Sequence, residues 1–193
     1  YWMPQAVLNV QALYSNWLVI RPTWTVRNTS PLVFSPVPGR DPLFTDTTHL
    51  VAGVHALGMK SALFPKPNLP VDVTAWWQST PHDSTWWQDW FTSYESFAIY
   101  HADLATQAGA EALILGGEWV IPALPDGEID GTSSGVTVDA ETRWRDILDE
   151  VRSHFSGSIL WAVSYPGDLE ATPSFSDDVD GIYLLWNAPL AST

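Results

Sequence analysis

Short apolar runs alternate with longer amphipathic stretches along this chain, and polar loops separate them. A helical pattern over Gln5–Tyr14, with Val7, Leu8 and Leu13 available for one face, precedes the run Trp17–Ile20. Pro22 ends that run, and the proline-rich stretch Thr23–Pro42 predicts a long loop. Leu50, Val51, Val54 and Leu57 then recur at helical spacing, with Thr45 or Asp46 as the cap and Gly58 as the stop. Ser61–Phe64 is the next apolar run, followed by a loop from Pro65 to Asp83. Ser84 is read as the cap of a long helix with Trp87, Trp90, Phe91, Tyr94, Phe97, Ala98 and Leu104 along one side, and Gly109 closes it. Ala112–Leu115 follows and continues into Gly116, Gly117, Glu118 and Trp119. A third long loop leads to a helix capped by Asp139, whose stripe is Trp144, Ile147, Leu148, Val151 and Phe155. Ser158–Val163 and Gly181–Trp186 are the last two runs, joined by loop-like sequence over 166–178.

Strand-length runs alternating with helices predict βα units around a parallel sheet, an α/β fold. The loops that follow strands are long and rich in Trp, Pro and Asp, whereas the passages from helix into strand are short and carry Gly. This puts the elaborate loops at the C-terminal ends of the strands, where barrel enzymes hold their active sites. A doubly wound sheet would share the asymmetry, but no glycine-rich phosphate loop opens any of these helices. The expectation is therefore a (β/α)8 TIM barrel. Five strands are present where a complete barrel has eight, so the barrel is read as partial, in one domain over residues 1–193. Its two open edges predict self-association, a rearranged terminus that covers them, or a need for further segments to fold.

Composition narrows the function. A net charge of −14 with only eight basic residues excludes a nucleic-acid surface, which needs clustered Lys and Arg. No apolar run reaches the length of a membrane span. Cysteine is absent, His55 and His101 fall within helices, and His49, His82 and His154 have no ligand spacing, so neither metal nor cofactor is expected. Twelve tryptophans change the picture more, because indoles serve either as core or as flat platforms for sugar rings.

The run Ala112-Leu113-Ile114-Leu115-Gly116-Gly117-Glu118-Trp119 resembles the fourth strand of the retaining glycoside hydrolases with barrel folds. Trp17–Pro22 is similar to strand two of that clan, His55–Lys60 to the passage into strand three, and Trp144–Trp161 to helix four and strand five. Within the clan the nearest resemblance is to glycoside hydrolase family 113, which cleaves β-mannan-type chains. The resemblance implies that Glu118 is the general acid/base and that a nucleophilic Glu ends strand seven. The runs here then count as strands two to six, and the nucleophile falls beyond Thr193. The clan often carries Asn before the acid/base Glu, where Gly117 stands here.

Glu118 is thus the candidate catalytic residue, and an apolar wall at Trp119 would raise its pKa toward that of a general acid. Two-carboxylate hydrolysis needs a partner, about 5–5.5 Å away for retention. Asp72, Asp83, Asp126, Glu128, Asp130, Asp168 and Glu170 share the loop face but read as solvated charges, and Asp180 faces the opposite end. Arg21 ends its strand where it could orient a catalytic carboxylate. Trp24, Trp76, Trp77, Trp119 and Trp186 are candidate sugar platforms, and Tyr165 and Asn187 candidate substrate contacts. Trp87, Trp90, Trp144 and Trp161 read as core. The expected activity is hydrolysis of O-glycosidic bonds in a poly- or oligosaccharide. The alternatives are a non-catalytic carbohydrate-binding barrel and a structural domain using its Trp pairs as partner contacts.

Overall fold

A computed structural model describes residues 3–165 and 172–186. Helix α1 (Met3–Ala12) leads into β1 (Trp17–Ile20), and β2 (Thr23–Thr29) and β3 (Leu32–Ser35) form a hairpin before α2 (Phe44–Ala56). Strands β4 (Lys60–Leu63) and β5 (Lys66–Asn68) precede α3 (Val73–Gln78) and the long α4 (Ser84–Ala108). Strand β6 (Ala112–Gly116) runs into a 3-10 helix, Glu118–Ala123, followed by the small hairpin β7 (Glu128–Ile129) and β8 (Thr132–Ser133). Helix α5 (Ala140–His154), β9 (Ser158–Tyr165), a 3-10 turn at Ser176–Asp178 and β10 (Gly181–Trp186) complete the described order.

Five strands form one sheet in the order β1-β4-β6-β9-β10, and every pairing in it is parallel. These are the five runs expected, in sequence order, which is the order of neighbours in a (β/α)8 barrel. Side chains alternate across the sheet. Leu63, Leu113, Ile159, Trp161 and Val163 pack against the helices in the larger core. Ala62, Phe64, Ala112, Ile114 and Ala162 form a second cluster with Val19, Leu160 and Tyr183, on the barrel-interior face. Beyond β10 no further strand is paired among the described residues, and Ile182, Leu184 and Trp186 on its helix-side face are 44–53% exposed.

Cap chemistry sets the helix starts. Asp83, not Ser84, caps α4, because its carboxylate accepts the Trp86 N–H at 2.9 Å. Asp46 lies inside α2 and reaches back to the Leu43 N–H at 2.9 Å. Gly109 adopts the left-handed conformation that ends α4, as its type predicts. The main departure lies in the proline-rich stretch. Thr23–Ser35 is not a loop but a hairpin, and β5 adds to it in parallel to make a three-stranded sheet. That sheet docks on α4, with Phe34 and Trp24 against Phe97 at ring distances of 4.8 and 5.5 Å.

Candidate active site

The site is built where β6 ends. Ala112 to Gly116 are all buried, as a continuous apolar run flanked by β4 and β9 must be. The chain then turns on two glycines. Gly116 has φ +80 and lies so close to the Trp161 indole that a β-carbon would stand 2.6 Å from it. Gly117 has φ 95 and ψ 179, a region essentially closed to residues with a β-carbon. Its N–H donates to the Ala162 carbonyl at 3.1 Å, fixing the turn to β9. This backbone geometry requires glycine at position 117.

Glu118 is the first residue after that turn. Its side chain is 53% exposed, and Oε1 lies 3.5 Å from Lys66 Nζ. The expected apolar wall is not there, because Trp119 turns into the core and is only 4% exposed. Lys66 continues the inward alternation of Ala62 and Phe64 past the end of β4. Its pKa is held below the ordinary lysine value, first by burial and then by the charge of Arg21, while Glu118 acts in the opposite direction. Arg21 and Lys66 both lie over the Phe64 ring, at 5.0 and 5.9 Å from its centre. Among the described residues no ion pair joins a carboxylate to Arg21, so its expected bidentate partner is not found there.

A cleft of about 250 Å³ opens beside Glu118, with Thr74, Ile121, Glu128 and Asp130 on its walls. Asp130 accepts a hydrogen bond from Gln78. Asp72 and Asp83 are occupied as helix caps, accepting from the Ala75 and Trp86 N–H groups. Asp180 sits at the opposite end of the sheet, bound to Arg152 and the Ile159 N–H. Asp168, Glu170 and Asn187 lie outside the described residues. Among the described residues no three His, Cys, Asp or Glu side chains gather as a metal site.

The aromatic platforms are redistributed. Trp24, Trp76, Trp77 and Trp119 are 1–9% exposed, and other rings cover them. No broad indole face of these four is open to a sugar. For Trp76 and Trp77 the reason is the third, unexpected helix: α3 turns both inward against Trp86 and Trp87. Trp186 is 53% exposed, but it stacks on Tyr165 at 4.4 Å, and both share the register of Trp161 and Val163 on the helix side of the sheet. The site therefore gathers Glu118, Arg21 and Lys66. Lys66 was not anticipated, although the inward spacing of Ala62, Phe64 and Lys66 marks it.

The family model Glycoside Hydrolase Family 113 matches residues 10–184. A family 113 β-mannanase from Alicyclobacillus acidocaldarius superposes with a TM-score of 0.69 at 21% identity, covering 94% of this chain and 54% of its own. A second family 113 β-1,4-mannanase gives 0.71 at 17% identity, with 95% and 56% covered. A family 18 chitinase from Pseudoalteromonas aurantia gives 0.54 at 12% identity, with 95% and 64% covered. The chain spans about half the length of the family 113 structures it matches. At such identities the likeness shows the fold, parallel strands curled into half of a barrel. A search of curated proteins gives no match.

Proposed function

The chain belongs to glycoside hydrolase family 113, and on that premise we propose that it carries the acid/base half of a retaining glycosidase site. The substrate is a poly- or oligosaccharide of the β-mannan type, the class named for both family 113 structures. Glu118 protonates the departing glycosidic oxygen, and then, as the carboxylate, takes a proton from the water that releases the glycosyl-enzyme intermediate. The nucleophilic carboxylate comes from a strand beyond the five described here. Arg21 and Lys66 are substrate- and charge-orienting groups on the interior face. Thr74, Glu128 and Asp130 offer hydroxyl and carboxylate partners to sugar hydroxyls in the adjoining cleft.

One observation carries this reading: β6 delivers Glu118, half exposed, to the mouth of the barrel interior on a glycine-only turn. A purely carbohydrate-binding barrel has less support, because the aromatic cleft it relied on is largely buried. For the 193-residue chain by itself, the open β1 and β10 edges favour self-association.

The test is a leaving-group comparison with Glu118→Gln in the complete protein. Turnover of a mannan oligosaccharide should fall by roughly 10²–10⁴-fold. An aryl mannoside with an acidic phenol needs no protonation and should keep most of its glycosylation rate. Equal activity of variant and wild type on the oligosaccharide would remove Glu118 from the mechanism.

A further inference from the structure

The 3-10 helix that begins at Glu118 contains a defect that the sequence dictates. A 3-10 helix pairs each carbonyl with the N–H three residues on. The residue three beyond Trp119 is Pro122, and the residue three beyond Pro122 is Pro125. Proline has no N–H, so the carbonyls of Trp119 and Pro122 cannot be satisfied within the turn. Both are satisfied from outside. The Trp77 indole N–H donates to the Trp119 carbonyl at 3.0 Å, and the Ser134 hydroxyl to the Pro122 carbonyl at 2.6 Å.

These two donors act at different distances from Glu118. Gly117, just before it, is tied to Ala162 of β9. Trp119, just after it, is tied to Trp77 of α3. The backbone of Glu118 is therefore clamped between two fixed peptide groups, one held by the sheet and one by an indole. Trp76 offers a built-in control. It is 2% exposed where Trp77 is 1%, in the same helix, yet its N–H meets no partner among the described residues.

From this we propose that Trp77 is a positioning residue for Glu118, its indole N–H replacing the donor that Pro122 lacks. The proposal rests on the acid/base reading of Glu118. The edge of the Trp77 ring forms part of the apolar wall of the cleft beside Glu118, which Phe would keep, whereas its N–H acts through the backbone and does not touch the reacting atoms. Its contribution is the direction in which the Glu118 carboxyl leaves the turn, and a misplacement of about 1 Å in such a group lowers rate by up to about 10²-fold.

The experiment compares four variants of the complete protein: Trp77→Phe, Trp76→Phe, Trp77→Phe with Pro122→Ala, and Glu118→Gln. Trp77→Phe should lower kcat by about tenfold or more with KM little changed, while Trp76→Phe lowers Tm and keeps kcat within about twofold of wild type. Pro122→Ala supplies the missing backbone N–H, so the double variant should recover most of the lost kcat. Amide exchange at Val120, whose N–H donates to the Gly117 carbonyl at 3.2 Å, should quicken in Trp77→Phe and not in Trp76→Phe.

Equal kcat and equal exchange in the two Trp variants overturns the positioning role, as does a double variant that recovers nothing. Should Trp77→Phe alone not fold, the double variant must restore folding, and its failure counts against the proposal. Full activity in Glu118→Gln instead overturns the underlying assignment of Glu118. The two failures are thereby separated.

Discussion

Gly116 lies flat against the indole of Trp161: a β-carbon at Gly116 would stand 2.6 Å from Trp161 Cε2 and 2.8 Å from Cδ2. No side chain fits that gap, and the residue also has φ +80. Gly116→Ala must push the end of β6 off Trp161 or shift Trp161 in a core that includes Trp144 and Phe175. Overpacking and the left-handed backbone together predict a loss of about 2 kcal/mol or more in denaturant unfolding. Adding Trp161→Phe should return part of it. A neutral Gly116→Ala would mean that the contact is not a constraint.

Lys66 poses a sign question. Its folded pKa lies below the ordinary lysine value, with burial as the largest cause and Arg21 next. A lysine whose folded pKa is depressed adds stability only where it is neutral, above its unfolded pKa of about 10.4, and that stability is lost as pH falls. At neutral pH the charged Lys66 therefore costs stability despite its 3.5 Å contact with Glu118. Lys66→Met should leave Tm at pH 7 unchanged or raised, and should lower kcat/KM by losing the charge beside Glu118. A clear drop in Tm would show that the ion pair outweighs the burial.

His101 is buried among Trp24, Phe97 and Tyr100, with Nδ1 2.7 Å from the Phe97 carbonyl. Burial pushes its pKa down to about 4. The neutral form is the one the fold accepts, so its contribution is complete above about pH 6.5, the unfolded value, and is lost as pH falls toward 4. Over that window the loss is on the order of 3 kcal/mol. His101→Phe should melt near wild type at pH 7.5 and increasingly above it as pH falls to 5. Parallel curves for the two proteins would contradict this.

The outer face of β10 predicts association of the 193-residue chain by itself. Ile182, Leu184 and Trp186 are 47%, 44% and 53% exposed, and the backbone edge beyond them pairs with nothing among the described residues. Sedimentation should report a dimer or larger species that Leu184→Glu weakens. A monomer at high concentration, melting cooperatively, would remove the self-association reading.

Much of the fold was legible because its signals are local. Trp17–Ile20 and Gly181–Trp186 are apolar runs with clear stops, and their observed bounds match the expected ones. Thr23–Ser35 was not legible as strands. Pro31, Pro36 and Pro38 read as loop chemistry, and the hairpin is supported by pairing with β5 and by packing on α4, which sequence spacing does not show. The tryptophans failed for a related reason. Trp76 and Trp77 look exposed in a polar loop, but Asp72 caps a helix there and turns both inward. Glu118 stood out through its strand and glycines, whereas its neighbourhood was misread: Trp119 leaves and Lys66 arrives from a separate strand.

The most direct test of the central claim is the distance from the Glu118 carboxyl to its nearest facing carboxylate, measured in a crystal of the complete protein with a mannan oligosaccharide bound. A retaining site places that partner about 5–5.5 Å away across the glycosidic bond, with Arg21 close to it. No carboxylate within about 10 Å would contradict that claim, because neither the retaining nor the inverting two-carboxylate route spans that gap.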